Sequence, residues 1–464
     1  MRSLARVALI VTVIVPLIAG AVTEASLSPL TVTWDSAHYE HPFVQSNAHE
    51  GETIALSRSL LALANPLPAN KGAVIPKSLF GMTYMDLRNY PNPPIIATGS
   101  LAKAVAVSWN DVQPTSACPA SLCNSFTWGQ LDNYAASAAA HGVDWFYDFD
   151  VVPRWAAANP AMCSGDSCPG MVAHISDWDN WVTNLVQRYD GTKGHGRVLI
   201  YEMWNEPNRA SAWSDTVQNL AILAREAVKI IRANDQAKGI HTFIDTPSGG
   251  PSFLKSFMAA YTSRGGSVND FDAVSFHAYH SRNVCYGLPV PCAEAVLNDI
   301  AAMRSAMASV GMSNLPLWNT EGGSGTDSIT DAQKAAHVAR WYLIHWSAGV
   351  TRMMWYAPDN REWSTLCAYY STCHPNAAGV AYSQAYSWMV GNSMNVPCAE
   401  DGTVYTCGLL TPDNIQTQAV WNVAGSSSYS VPPGYRRYRD LAGNTNAISG
   451  SVVTIGIQPI LLVP

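Results

Sequence analysis

The chain has 464 residues, of which 48% are apolar and only 13% are charged, and its formal net charge is −7. That apolar share supports a large core and excludes a disordered chain. An acidic balance without basic clusters excludes nucleic acid as the partner, and the length divides naturally into one large domain and one small one.

The first residues read as a processing signal. Arg2 and Arg6 precede an apolar run from Val7 to Ile18, which ends in Ala19-Gly20-Ala21. A basic start, a short apolar stretch and a small-residue cleavage site make residues 1–25 a secretory signal peptide, with Ala25 as a second cleavage point. The run is short for a bilayer span and contains Pro16, so no membrane association is expected after cleavage. Cysteine usage agrees with a secreted protein, extracellular or periplasmic. The ten cysteines fall into five close neighbours, 118/123, 163/168, 285/292, 367/373 and 398/407. Such spacing predicts five local disulfides. Zinc would want matched intervals and companion histidines, which are lacking. Residues 26–75 read as an N-terminal extension, from which Leu30–Trp34 could add a strand to the C-terminal domain. His38, Glu40, His41, His49 and Glu50 lie in this extension and are read as solvated side chains, so no metal or cofactor is expected.

From Leu79 onward short apolar runs alternate with helical patterns, the mark of a parallel α/β fold. The expected strands are Phe80–Tyr84, Ala104–Trp109, Asp144–Phe149, Val198–Trp204, Thr242–Asp245, Ala273–Ala278, Leu317–Thr320 and Arg352–Tyr356. Helices are clearest at Trp178–Tyr189, Thr216–Ala233, Leu297–Ser309, Asp331–Ser347 and Gly379–Val390. Eight such units predict a (β/α)8 TIM barrel over residues 76–392. A doubly wound sheet would want a glycine-rich phosphate turn, and none follows the first strand. Beyond residue 392 only short strands remain, at Thr403–Leu410, Gln416–Asn422, Tyr435–Leu441, Val452–Ile457 and Ile460–Val463. Residues 393–464 are therefore expected to form a small C-terminal β-sandwich domain.

Two stretches carry chemistry. Val198-Leu199-Ile200-Tyr201-Glu202-Met203-Trp204-Asn205-Glu206-Pro207-Asn208 is a buried strand that stops at a proline, leaving Asn205 and Glu206 at its carboxyl end. Leu315–Gly323 is a second apolar run, ending in Thr320-Glu321-Gly322-Gly323. The carboxyl ends of buried parallel strands are where barrels place their chemistry. Two carboxylates there suit glycoside hydrolysis, in which one protonates the leaving oxygen and the other attacks the sugar or activates water.

On these motifs the chain resembles the clan A retaining β-glycosidases. Tyr-Glu-x-Trp-Asn-Glu-Pro-Asn is most similar to the β-xylosidase and iduronidase family, with the cellulase-like and glucosylceramidase-like families close behind. The resemblance implies a β-linked glycan or glycoside as substrate, Glu206 as acid/base and Glu321 as nucleophile. It places Asn205 on the sugar 2-hydroxyl, Tyr279 beside Glu321 and His277 against the sugar or the acid/base. It makes Trp355 the aromatic floor of the subsite. Trp109, Trp155, Trp213 and Trp363 fall in expected loops at the same face as outer subsites, and Asp148 and Asp150 could accept sugar hydroxyls. One departure stands out. The family's second-strand arginine is missing from Lys103–Trp109, which leaves the buried Glu202 without its usual partner. A transglycosylase using the same intermediate and a non-catalytic glycan-binding barrel are the alternatives to hydrolysis.

Overall fold

Apolar runs without alternation form strands that are covered on both faces, as a parallel sheet wrapped by helices requires. The computed structural model describes residues 70–83, 99–102, 107–114, 125–280, 292–325, 329–358, 364–368 and 374–464. Its parallel strands are β1 (Phe80–Thr83), β2 (Gly99–Ala102), β3 (Asp144–Asp148), β4 (Val198–Glu202), β5 (Phe243–Asp245), β6 (Val274–Tyr279), β7 (Leu317–Gly323) and β8 (Val350–Tyr356). Their order is β5-β4-β3-β2-β1-β8-β7-β6. A parallel bridge from Asp245 to Ala273 joins the two outer strands. Asp272 N–H also donates to Ile244 O at 2.7 Å, and Ser275 N–H to Thr246 Oγ1 at 3.1 Å. The sheet therefore closes into a barrel.

Around it lie α1 (Gly129–Ala140), α2 (Ile175–Arg188), α3 (Val217–Lys238), α4 (Gly250–Ser263), α5 (Val296–Ser309), α6 (Asp331–Ser347) and α7 (Ala377–Met389). Their ends follow local chemistry. Thr330 and Gln333 form a reciprocal capping box on α6, and Asn376 accepts from the N–H groups of Ala378 and Gly379 in the first turn of α7. Two helices lack a legible sequence pattern. Tyr-Ala-Ala-Ser-Ala-Ala-Ala in α1 offers little contrast between its faces, and α4 opens on Gly250-Pro251, which reads as a turn but suits a first helical turn.

The second strand lies earlier than its expected span, Ala104–Trp109. Ser108 and Asp111 cap each other's backbone and start a helical turn at Trp109–Val112. That capping box claims the end of the apolar run, and the strand pairs through Gly99–Ala102 instead. Residues 103–106 lie outside the described residues.

Strand parity sorts the side chains. Phe146, Ile200, Trp318 and Met354 fill the barrel interior in one cluster. One step toward the carboxyl end, Asp148, Glu202 and Asp245 stand in register on β3, β4 and β5, all with 0% exposure. Residues of opposite parity, such as Trp145, Tyr147 and Tyr201, pack outward into the main core beneath the helices.

From Ser393 the chain turns antiparallel, with β9 (Ser393–Asp401), β10 (Val404–Leu410), β11 (Gln416–Asn422), β12 (Ser427–Ser430), β13 (Arg437–Arg439), β14 (Thr445–Ala447), β15 (Val452–Ile455) and β16 (Ile460–Val463). Six of them form a sheet in the order β9-β10-β11-β16-β13-β14, and β12 pairs with β15 as a ribbon. Val420, Val453, Ile455, Ile460 and Leu462 form a small core between sheet and ribbon. The unforeseen strand β9 carries Pro397 and register shifts, which an edge position tolerates. Cys398–Cys407 ties β9 to β10, and Cys163–Cys168 clips the loop after β3. Cys292 and Cys367 are also disulfide-bonded. Their expected partners, together with Cys118, Cys123 and Leu30–Trp34, lie outside the described residues.

A buried ion pair joins the antiparallel sheet to the barrel's helix layer. Arg340 of α6 is 1% exposed and donates to both oxygens of Glu294, Nε to Oε1 at 2.7 Å. Trp421 of β11 donates its indole N–H to the same Oε1, also at 2.7 Å. Removing one partner strands a buried charge, which typically costs about 3–5 kcal/mol, whereas replacing both with apolar groups is often near neutral. Glu294→Ala should therefore lower stability to chemical denaturation by about 3–5 kcal/mol. The double change Glu294→Leu/Arg340→Met should recover most of it; equal loss in both variants would contradict this account.

Candidate active site

The turn after β4 is fixed from both sides. Asn205 N–H donates to Phe149 O at 2.9 Å, beyond the end of β3. Glu206 N–H donates to Ser248 Oγ at 3.1 Å, beyond the end of β5. Trp204 donates its indole N–H to Ala212 O at 3.0 Å and packs edge-on against Trp213. These anchors hold Glu206 at φ 41°, a left-handed conformation that non-glycine residues adopt at some cost and that clusters at functional sites.

Glu321 arrives from β7, every residue of which is buried. The two glycines after it admit close neighbours. A Cβ at Gly322 would stand 2.6 Å from Ala278 O, and one at Gly323 would collide with Ser364 Oγ. Tyr279, ending β6, donates its hydroxyl to Glu321 Oε1. Burial pushes the Tyr279 phenol well above its ordinary range, and the neighbouring Tyr356 and Glu206 add to the effect. It therefore stays a donor at any working pH.

His277, two residues earlier on the same face of β6, joins the two glutamates. Its Nδ1 lies 3.1 Å from Glu206 Oε1 and 3.8 Å from Glu321 Oε2. One atom from each of the three residues falls within 4.8 Å of the others. On the far side of Glu206, Arg209 Nε lies 3.2 Å from Oε2. The carboxylates are thus close, largely withdrawn from water and surrounded by donors, an arrangement able to pass a proton to and from a bound group.

Of the residues singled out in the sequence, the structure brings Glu206, Glu321, His277 and Tyr279 together, with Asn205 beside them in the chain. Others are placed elsewhere. Trp355 lies on the outward face of β8, where it is 1% exposed, donates its indole N–H to Ser364 O at 2.7 Å and meets His337 of α6 edge-on. Parity is the reason: Met354 fills the barrel interior, so Trp355 must face the helices and Tyr356 the interior. The aromatic at the mouth is Tyr356, half-buried, with its ring 6.3 Å from that of Tyr279 and nearly perpendicular to it. Trp109 is not an outer subsite either. It is 1% exposed and packed among Trp155, Trp178 and Trp181, since the capped turn carries it into the core. Asp148 belongs to the enclosed acidic layer below the mouth and has no exposed surface. Trp213 is 4% exposed against Trp204. Trp155 is part-buried, with its indole N–H on Gln113 O at 2.8 Å. Trp363 lies outside the described residues. Tyr356 follows only once Met354 is known to face the interior. Nothing in the sequence pointed to Arg209 or Ser248.

Comparison with known proteins bears on family and fold. The model of one family, described as cellulase (glycosyl hydrolase family 5), matches residues 104–361, more than half of the chain. The chain is 25% identical over 243 residues to Beta-xylosidase of Geobacillus stearothermophilus, covering 47% of this chain and 45% of that protein. It thus spans about half the length of that relative. Among solved structures it is similar to a family 39 glycoside hydrolase from Bacteroides cellulosilyticus WH2, with TM-score 0.60, 16% identity, and 84% and 81% of the two chains covered. It is also similar to a GH39 Beta-xylosidase from Caulobacter crescentus, with TM-score 0.56, 14% identity, and 85% and 98% covered. These two likenesses are of fold.

The placement of the two aromatics on β8 has separable consequences. Trp355→Ala should lower stability by about 3–5 kcal/mol, as for other large core truncations, and leave KM within about twofold. Tyr356→Ala should raise KM or lower kcat/KM by about tenfold or more with little loss of stability. Denaturation and steady-state kinetics on the two variants decide the matter, and the reverse pattern would return Trp355 to the mouth.

Proposed function

We propose that this chain, which belongs to the cellulase family (glycosyl hydrolase family 5), is a secreted retaining β-glycosidase of clan A that acts on glycans. The observation that carries this reading is the approach of Glu206 and Glu321 within 4.8 Å. Retaining enzymes hold their carboxyls about 5–5.5 Å apart, whereas inverting enzymes leave about 6.5–9.5 Å for a water. One oxygen of Glu206 and one of Glu321 within 4.8 Å of each other fit the closer, retaining spacing better than the wider one.

The roles follow from the surroundings. Glu321, fixed by the Tyr279 hydroxyl, attacks the anomeric carbon, and Glu206 gives its proton to the leaving oxygen. Water then attacks the glycosyl-enzyme while Glu206 takes a proton back. Once Glu321 is esterified its charge is gone, and Glu206 ionises more easily for the second step. Asn205, beside Glu206, is the group to bind the sugar 2-hydroxyl, a bond that strengthens in the oxocarbenium-like transition state. Double displacement between two glutamates requires neither a metal nor an organic cofactor. The signal-like first 25 residues and the disulfides support secretion, and no described helix is long and apolar enough to cross a membrane. The names of the relatives make aryl β-xylosides the first substrates to try.

Variants of the two glutamates should separate their roles. Glu321→Ala should abolish activity on every β-glycoside, whatever its leaving group. Glu206→Ala should keep a fast first step on nitrophenyl glycosides and stall at the glycosyl-enzyme. Azide needs no general base, so it should restore turnover of that variant and yield a β-glycosyl azide, identifiable by NMR. An opposite pattern would reverse the roles, and wild-type rates from both variants would remove the catalytic reading.

A further inference from the structure

Glu202 is buried, ionisable and unused by the mechanism above. It sits on β4, four residues before Glu206, with 0% exposure. His277 Nε2 lies 3.7 Å from Glu202 Oε1. Neither that nitrogen nor either Glu202 oxygen has a hydrogen-bond partner among the described residues. The imidazole side chain is itself 5% exposed, with its Nδ1 turned to Glu206 at 3.1 Å. One ring therefore stands between a deep carboxylate and the candidate acid/base.

We propose that Glu202 is a positioning residue that fixes the tautomer of His277 and thereby keeps the acid/base in its proton-donating form. The inference rests on the reading of Glu206 as acid/base. A neutral imidazole carries one N–H, and which nitrogen holds it is set by the partner of the other. With the proton on Nε2, the N–H faces the Glu202 carboxylate and the Nδ1 lone pair faces Glu206 Oε1. A proton on Glu206 then lies between two acceptors, available for transfer. With the proton on Nδ1, the ring donates to Glu206, which favours the ionised carboxylate and empties the acid. A carboxylate behind a histidine orders the ring in the same way in hydrolytic triads.

Several charged and titratable groups face this pair. Asp148 on β3 and Asp245 on β5 are its neighbours in register. Burial pushes the Asp245 carboxyl well above its ordinary range, and the neighbouring Glu202 is the next cause. Arg352 on β8 is a cation of the interior, stacked over Phe146 and Trp318 in the layer below. Around Glu206 stand Glu321, Tyr279 and Arg209; Arg209 touches the oxygen that His277 leaves open.

The test compares wild type, Glu202→Gln and Glu206→Ala on a series of aryl and alkyl β-glycosides with leaving groups of rising basicity. A carboxamide can turn its NH2 to Nε2 and drive the ring proton to Nδ1. Glu202→Gln should therefore lose about 10- to 100-fold on poor leaving groups, within the span that general-acid catalysis supplies, and less than about threefold on nitrophenyl glycosides. Its basic pH limb should move to lower pH, because N–H donation to Glu206 favours the ionised acid. Nitrogen NMR of 15N-histidine protein, with His277 assigned by its loss in His277→Asn, should show the Nε2–H form in wild type. That spectrum decides the matter even if Glu202→Gln does not fold. An Nδ1–H ring in wild type, or an equal loss on all leaving groups in Glu202→Gln, would overturn the inference. If Glu206→Ala itself showed no dependence on leaving group, the acid/base reading would be what had failed.

Discussion

Two carboxylates held within 4.8 Å of each other and mostly out of water repel, and the site exists only because its surroundings offset that repulsion. Tyr279 donates to one of them, while His277 and Arg209 approach the two oxygens of the other. Tyr279 and His277 come from β6 and Arg209 from the turn after β4, so the balance depends on strand ends that cannot move apart. Closure of the sheet through Asp245 and Ala273 supplies that constraint. The left-handed backbone at Glu206 is tolerated on the same terms, with its N–H on Ser248 and the chain before it on Phe149.

Support for the site extends outward through contact. Gly322, the residue after Glu321, leaves space that Trp341 of α6 fills, its Cζ2 3.1 Å from where a Cβ would stand. His337 of the same helix stacks on Trp341 and meets Trp355 of β8. Burial holds His337 well below the ordinary histidine range, with Arg340 adding to it, so the ring behaves as a neutral packing element. One turn along, Arg340 is clamped by Glu294 and through it to Trp421 of the antiparallel sheet. That sheet thus braces the helix lying behind β7 and β8, a structural task that needs no sugar-binding surface of its own.

Much of this was legible from residue order. Val198–Glu202 is too apolar and too short for anything but a buried parallel strand, and the chemistry at its end follows from where proline stops it. What the chain alone hid was facing. Trp355 and Tyr356 are both large aromatics, and only the parity set by Met354 decides which of them meets the mouth. The second strand was misplaced because the Ser108–Asp111 capping box outweighs a run of alanine and valine. Arg209 was invisible for another reason. Its contact with Glu206 depends on the turn geometry after Pro207, and any cation three residues on would read as solvated.

The central claim is that Glu321 forms a covalent glycosyl ester beside a proton-cycling Glu206. It is tested most directly by inactivating the protein with an activated 2-deoxy-2-fluoro β-glycoside, which slows the second step, and mapping the modified peptide by mass spectrometry. The account predicts one sugar per chain, attached to Glu321 and released by a glycosyl acceptor. A label on Glu206, or no label together with an α-configured first product from an unmodified substrate, would contradict it.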